Sequence, residues 1–366
     1  MPTTEALHEA DRLMTICNAC RYCEGLCAVF PVMEMRRTFA AGDLHYLANL
    51  CHQCGACMPD CQYAPPHQFD VNVPAAMAKL RNESYAVYVW PRLLAGVFAR
   101  NALAVTFAAA VSVAAFIIGF VAFHDPAVLY APQAGDFYRL MPHGAMVALF
   151  GLVALYVIVA FAVSLRAFWR GINADSPPVG IAAMAQGLRD AGELTYLGGG
   201  GGGCMSENEQ PSAARRKFHH LTFYGFMLCF AATCIATLYH YAFGWEAPYA
   251  FYSLPVLLGT LGGIGLLVGP AGLFVLARQR SAALTDPRHT GMDTAFVVML
   301  FLTSLTGLLL LILRDTSAMG ILLSIHLGFV LGLFLSLPYG KFVHGFYRYL
   351  ALVKYAGEKR HGTFVE

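Results

Sequence analysis

Charge is scarce in this chain. Of 366 residues, 24 are Lys or Arg and 22 are Asp or Glu, 13% together. That is about half the usual share of roughly 25%. A soluble protein of this length cannot cover its surface with so few charges. The net charge of +2 leaves no basic footprint, so nucleic acid is not an expected partner. Intrinsic disorder is excluded as well, because hydrophobic residues reach 58% and aromatics 13%. Other signals are missing too. Met1 to Ala10 is polar and acidic, without the basic start and apolar core of a signal peptide, so the N-terminal part is expected to stay in the cytoplasm. There is no Rossmann glycine pattern, no Walker loop, no CxxCH for covalent haem and no evident catalytic acid–base pair.

What the chain has in abundance is apolar sequence and cysteine. Six charge-free apolar stretches follow the first hundred residues: Asn101–Phe123, His143–Leu165, Phe218–Phe243, Ala247–Ala277, Thr294–Leu313 and Thr316–Gly340. A spanning helix needs about 20 apolar residues, which six buried helices of a soluble protein would not all supply. Pro255 and Pro270 predict a kink in the fourth stretch. All of the 24 Lys and Arg except Arg139 and Arg314 fall on one side of the resulting bundle. By the positive-inside rule both termini are cytoplasmic, in a multi-pass protein of a bacterial-type inner (plasma) membrane. The expected class is all-α: an N-terminal α-helical, two-cluster ferredoxin-like domain over residues 1–96, then a six-helix transmembrane bundle over residues 97–366. Its cytoplasmic loop at residues 166–217 holds a short helix near Ile181–Asp190 and a run of six glycines, Gly198–Gly203, read as flexible linker. Cys204 follows that run, as a spare thiol or as a ligand.

Eight of the 11 cysteines lie in two runs, Cys17-x2-Cys20-x2-Cys23-x3-Cys27 and Cys51-x2-Cys54-x2-Cys57-x3-Cys61. Each cysteine of the first run recurs 34 residues later, so a ligand frame has been duplicated. In a cytosolic setting clustered cysteines point to metal. Structural zinc favours separated CxxC pairs, whereas three thiolates at consecutive CxxC spacing suit a [4Fe–4S] cubane. In two-cluster ferredoxins the fourth cysteine of each run reaches across to the other cluster. The expected sets are therefore Cys17, Cys20, Cys23 and Cys61 for one cluster, and Cys51, Cys54, Cys57 and Cys27 for the other, with the swapped assignment of the fourth cysteines left open. No proline follows either fourth cysteine; Pro31 and Pro65 stand four residues on. His52 and His67, nearby, are read as ordinary polar neighbours.

Histidines mark the ends of two spans, where ionisable groups default to function. The third opens with His219 and His220 and closes near His240; the sixth holds His326 and ends at His344. These two helices run antiparallel. On one continuous helix, His326 and His344 are 18 residues apart, about five turns, and share a face. His219 falls about 60° from His240, whereas His220 lies nearly opposite it, so His219 is the better ligand. The two levels are roughly 27–31 Å apart. This arrangement suits two b-type haems, held by His219 with His344 on the cytoplasmic side and by His240 with His326 on the far side. His124 and His143 are substitutes at the outer site. Arg215, Arg216 and Lys217 either pair with haem propionates or simply set topology.

The run Cys17-Asn-Ala-Cys-Arg-Tyr-Cys-Glu-Gly-Leu-Cys27, with Cys61-Gln-Tyr-Ala-Pro-Pro-His67, resembles the tricarballylate or citrate utilisation protein B family. So do Arg215-Arg-Lys-Phe-His-His-Leu-Thr-Phe-Tyr-Gly-Phe226 and Pro338-Tyr-Gly-Lys-Phe-Val-His344. The membrane part is more loosely similar to the cytochrome b subunits of nitrate and heterodisulfide reductases, whose histidine before a Gly-Phe pair corresponds to His219. The resemblance implies a membrane electron-transfer protein with iron–sulfur clusters and haem b. Its partners would be an FAD-dependent tricarballylate dehydrogenase, whose FADH2 it reoxidises, and the membrane quinone pool. On this reading the chain is the quinone-reducing component of an oxidoreductase system, with no substrate chemistry of its own. The same relay serving another flavin-dependent dehydrogenase or reductase, or a haem and iron–sulfur redox sensor, are the rival readings.

Overall fold

The computed structural model describes residues 4–124, 126–174, 178–205 and 210–361; parts of the 166–217 loop lie outside them. Among the described residues regular structure is almost wholly helical, with one two-residue β pairing of Cys204–Met205 against Pro211–Ser212. The head comprises α1 (Glu5–Cys20), α2 (Val29–Glu34), α3 (Ala41–Leu50) and α4 (Val73–Tyr88). The body follows with α5 (Asn101–Phe123), α6 (Pro126–Tyr130), α7 (His143–Ile172), α8 (Ile181–Glu193), α9 (Ala214–Phe243), α10 (Leu254–Arg278), α11 (Thr290–Leu313), α12 (Met319–Ser336) and α13 (Val343–His361).

Local chemistry sets the ends of the head helices, and those ends place the cysteines. Thr4 Oγ1 accepts from the Leu7 amide at 3.2 Å and starts α1. Arg21, at φ 55, stops it in the left-handed region, so Cys17 and Cys20 occupy its last turn. Cys51 is already extended after α3, and the chain to Cys61 runs as turns. Asn72 Oδ1 then accepts from the Ala75 amide at 3.1 Å, with Pro74 in the first turn, and α4 begins. The first run thus starts in the last turn of α1 and continues as a loop, and the second is a loop hung from the C-terminus of α3.

Six helices are long and apolar enough to cross a membrane: α5, α7, α9, α10, α11 and the run that opens with α12. Their outward faces carry large apolar side chains such as Leu103 (72% exposed), Phe107 (71%) and Ile158 (63%). Water would not tolerate such a surface, and hydrocarbon does; the chain is a multi-pass membrane protein. α9 and α10 meet through glycines: a Cβ on Gly269 would lie 2.6 Å from the Thr222 backbone nitrogen, and one on Gly225 2.9 Å from the Gly262 carbonyl oxygen. α10 is one helix through Pro270.

The sixth apolar stretch is expected as one helix to Gly340, and here the structure differs. α12 ends at Ser336, a 3₁₀ turn covers Leu337–Tyr339, and α13 starts afresh at Val343. Pro338 has no amide to continue the helix, and Gly340 is extended (φ −141, ψ −165). The rotation argument linking His326 to His344 along one helix therefore does not hold. α13 then packs on α3 and α8, against the head. Tyr347, Ala351, Leu352 and Tyr355 of α13 share one core with Leu13, Met33, Leu47 and Leu80 of the head. A buried network tightens that joint. Arg36 bonds Asp43 and Glu358 at 2.6 Å each, Tyr46 donates to Glu358 at 3.0 Å, and Lys354 reaches the Ile172 carbonyl. The head is thus fixed against the bundle.

Candidate iron–sulfur and haem centre

The eight head cysteines gather in two groups. Cys27, Cys51, Cys54 and Cys57 line a hollow of about 380 Å³, together with His52, Gln53, Ala56, Tyr196 and Gly199. Cys17, Cys20, Cys23 and Cys61 line a second of about 350 Å³, with Tyr22 and Tyr63. These are the quartets that the crossed ferredoxin pattern names. The side chain of Phe30, 3% exposed, forms part of the wall of both. Among the described residues no three His, Cys, Asp or Glu side chains are spaced to hold a single metal ion.

None of the eight cysteines is paired in a disulfide. Burial pushes Cys17 up to about 12 and Cys23 up to about 11, and neighbouring cysteines add to both shifts. Cys27, Cys51 and Cys57 are raised by burial as well. Such thiols would not ionise unaided at neutral pH; a coordinated metal supplies the positive charge that deprotonates them. Weak donors already point at the sulfurs. The Gln53 amide lies 3.4 Å from Cys51 Sγ, and Gln62 Nε2 3.7 Å from Cys20 Sγ. The donor set fits [4Fe–4S] clusters.

The glycine run is a correction to the linker reading. Gly198 to Gly201 and Gly203 all have positive φ, and the segment folds onto the first hollow. A Cβ on Gly199 would lie 2.4 Å from the Ala56 Cβ. The Met205 amide then bonds the Cys54 carbonyl at 2.8 Å, which anchors the far end of the cover. Only residues without a Cβ allow this left-handed path at such close approach. Gly199→Val is expected to lift the cover and to speed loss of iron to a chelator several-fold; an unchanged rate would show that the segment shields nothing. Cys204 lies beside this cover, where burial raises its thiol and Arg215 opposes the rise.

The head-side histidines come together. His219 of α9 and His344 of α13 have ring centroids 6.1 Å apart, with planes at 83°. His344 Nδ1 is 2.5 Å from the Lys341 carbonyl, an orienting bond that leaves Nε2 free. His219 Nδ1 is buried without a hydrogen-bond partner. His220 packs on Tyr224 instead, at 5.6 Å. The sequence thus selects His219 by rotation on α9, and His344 meets it by the turn at Pro338 rather than by rotation along α12.

On the far side the rings are arranged differently. His240 stacks on His143, with centroids 3.9 Å apart, and also touches Tyr241. Its Nδ1 is likewise buried without a partner. His326, seven residues into α12, has its Nδ1 held by Thr306 Oγ1 at 3.1 Å, and Gly307 gives its ring edge room. His124 Nε2 is tied to the Leu140 carbonyl at 3.0 Å. α9, which carries both His219 and His240, buries only Gly225 and Ala232 among its described residues, as a lipid-facing span does. Orphaned imidazole nitrogens on His219 and His240, with orienting bonds on His344 and His326, suit residues that would hold haem b.

Sequence reasoning missed the basic layer between these sites. Arg81 bonds the Cys51 carbonyl at 2.8 Å and Gln53 Oε1 at 3.0 Å; Arg348 bonds the Asn49 and Cys51 carbonyls at 3.2 and 3.0 Å. Arg215 and Arg280 both reach the Gln53 carbonyl. Arg81 and Arg348 carried no signal beyond membrane topology, because their convergence depends on long-range packing. His52 sits within this layer, held neutral by burial, with Arg348, Arg215 and His219 adding to the effect.

Two family descriptions match: "Citrate utilization protein B" over residues 96–363, and its "Fer4-like domain" over residues 10–87. Citrate utilization protein B of Escherichia coli is 51% identical over 360 residues, which covers 98% of this chain and 94% of the relative. No solved structure matches. A match on both parts of the chain, and a relative similar along almost its whole length, settle the affiliation: this protein belongs to the citrate utilization protein B family.

Proposed function

We propose that this protein is a membrane electron conduit that reoxidises the reduced flavin of a partner tricarballylate dehydrogenase and delivers the electrons to the quinone pool. The carrying observation is the alignment of two four-cysteine hollows, sharing the Phe30 wall, with the His219–His344 pair behind the basic layer. Cys17, Cys20, Cys23 and Cys61 would hold one [4Fe–4S] cluster, and Cys27, Cys51, Cys54 and Cys57 the other. His219 and His344 would hold one haem b, and His240 with His326 a second. Bound there, these groups supply one-electron carriage between a two-electron flavin and a two-electron quinone.

The chain's own residues bind, orient and exclude. The glycine run and Tyr196 line the first hollow, and Tyr22, 67% exposed, lines the second, where a flavoprotein would dock. The Lys341 carbonyl fixes the His344 ring, and Thr306 fixes His326. The head side is taken as cytoplasmic, in keeping with the one-sided distribution of Lys and Arg. The family name supports a place in citrate or tricarballylate utilisation. The test is optical and paramagnetic spectroscopy of the purified protein, then titration with the reduced flavoprotein in the presence of quinone. Paired b-type bands and cluster signals that are reduced by the flavoprotein and reoxidised by quinone are expected. A protein that takes no electrons from the flavoprotein, or passes none to quinone, is not this conduit.

A further inference from the structure

The four arginines of the basic layer bond the chain beside only one of the two hollows. Their side-chain bonds run mostly to the carbonyl oxygens of Asn49, Cys51 and Gln53 and to Gln53 Oε1, with Arg215 also on Cys204 and Arg81 on Tyr85, and among the described residues none runs to a carboxylate. The nearby acids have other partners: Asp293 pairs with Lys341 at 2.7 Å, and Asp286 with Arg288 at 3.6 Å. Arg81 is 4% exposed. Crowding is felt outside the membrane: burial lowers Arg280, and Arg215 and Arg81 lower it further. Carbonyl dipoles alone do not compensate one buried and three half-buried guanidiniums gathered on one segment, so an anionic group beside them is expected. The Cys27, Cys51, Cys54 and Cys57 hollow, whose carbonyls they already grip, is where four thiolates would stand.

The second hollow has the opposite surroundings. Asp60, exposed and next in sequence to Cys61, places a negative charge beside it. Arg21, between Cys20 and Cys23 in sequence, is exposed and turned back to the Asn18 carbonyl at 3.1 Å. Position follows the same polarity. Arg215 lies one turn before His219 on α9, and Arg348 one turn after His344 on α13. Both reach from the histidine helices to the Cys51–Gln53 segment.

We propose that Arg81, Arg215, Arg280 and Arg348 hold the cluster seated at Cys27, Cys51, Cys54 and Cys57 at a higher reduction potential than the one at Cys17, Cys20, Cys23 and Cys61. The inference rests on the iron–sulfur reading above and adds its direction. Each added electron makes an all-thiolate cluster more negative by one charge, and fixed cations in a low-dielectric layer favour that state. One electron leaves the open cluster and enters the buried one; no bond changes and no proton moves. The donor is the reduced flavin of the partner. The arginines therefore act as positioning residues that make the inward transfer downhill.

The test is a redox titration of the full-length holoprotein in detergent, followed by electron paramagnetic resonance, with iron and sulfide content measured on every sample. Wild type should show two cluster midpoints. Arg280→Gln should lower only the higher one, by about tenfold in the one-electron equilibrium, about 59 mV. Arg280→Lys should restore most of the shift. Asp60→Asn, on the exposed surface, should raise only the lower one. The proposal is overturned if Arg280→Gln moves the lower midpoint, moves neither, or shifts only a haem midpoint, since the cations would then serve haem propionates. Wild type without iron and sulfide would instead overturn the iron–sulfur reading itself, and this inference with it.

Discussion

Cys61→Ser should remove the same paramagnetic signal as Cys20→Ser, and Cys27→Ser the same signal as Cys54→Ser. Each variant should keep about half of the iron and sulfide. This follows from the grouping of the thiols. Cys61 lines the hollow of the first run and Cys27 that of the second, although each is closer in sequence to the other set. The helix ends explain the exchange. α1 releases the chain after Cys20, the turns through Gly25 carry Cys27 toward the start of α2, and Val29 and Phe30 donate their amides to Cys27. The second run ends in turns at Met58–Cys61 and Cys61–Ala64 that swing Cys61 back beside α1. Loss of either cluster should also stop flavoprotein-driven quinone reduction, because the two hollows share the Phe30 wall and the electrons would pass through both in series. If Cys61→Ser shares its lost signal with Cys54→Ser, the crossed assignment is wrong and each run serves its own cluster.

Much of this arrangement was legible in the sequence, for physical reasons that differ from site to site. The span helices announce themselves because the bilayer demands about 20 apolar residues whatever their packing. The cysteine quartets are legible because ligand spacing is local, and duplication repeats it. The rotation of His219 against His220 was readable too, since α9 is one unbroken helix from Ala214 to Phe243. The same reasoning fails on the sixth stretch because Pro338 and Gly340 break it, and hydropathy cannot see a break inside an apolar run. The six glycines read as a linker because flexibility is a property of composition, whereas their close approach to Ala56 is a tertiary fact. The convergence of Arg81, Arg215, Arg280 and Arg348 draws on four separate segments, and no single window of sequence contains it.

His344→Ala and His219→Ala should each lose one of two haems, about half of the haem per protein, while His220→Ala should keep both. The head-side rings face each other at 6.1 Å between centroids and are nearly perpendicular. Two imidazoles on opposite sides of one metal atom require about this separation, given metal–nitrogen bonds of about 2 Å. His344 is pre-oriented by the Lys341 carbonyl, so its loss removes a ligand whose ring orientation the protein has already set. His220 faces Tyr224 and has no imidazole opposite it. A surviving head-side haem in His344→Ala would mean that another group closes the site. The far side gives a sharper discrimination. His240→Ala should remove the second haem, and His326→Ala should do the same if the ring held by Thr306 is the opposing ligand. His143 stacks directly on His240 and stands as the competing partner. Measured by haem content and the low-spin paramagnetic signal, loss of the second haem in His143→Ala but not in His326→Ala would move the outer site to the surface, between the start of α7 and the end of α9. Loss in His326→Ala alone places it one to two turns deeper, against α11 and α12, and shortens the distance an electron must cover from the His219–His344 pair.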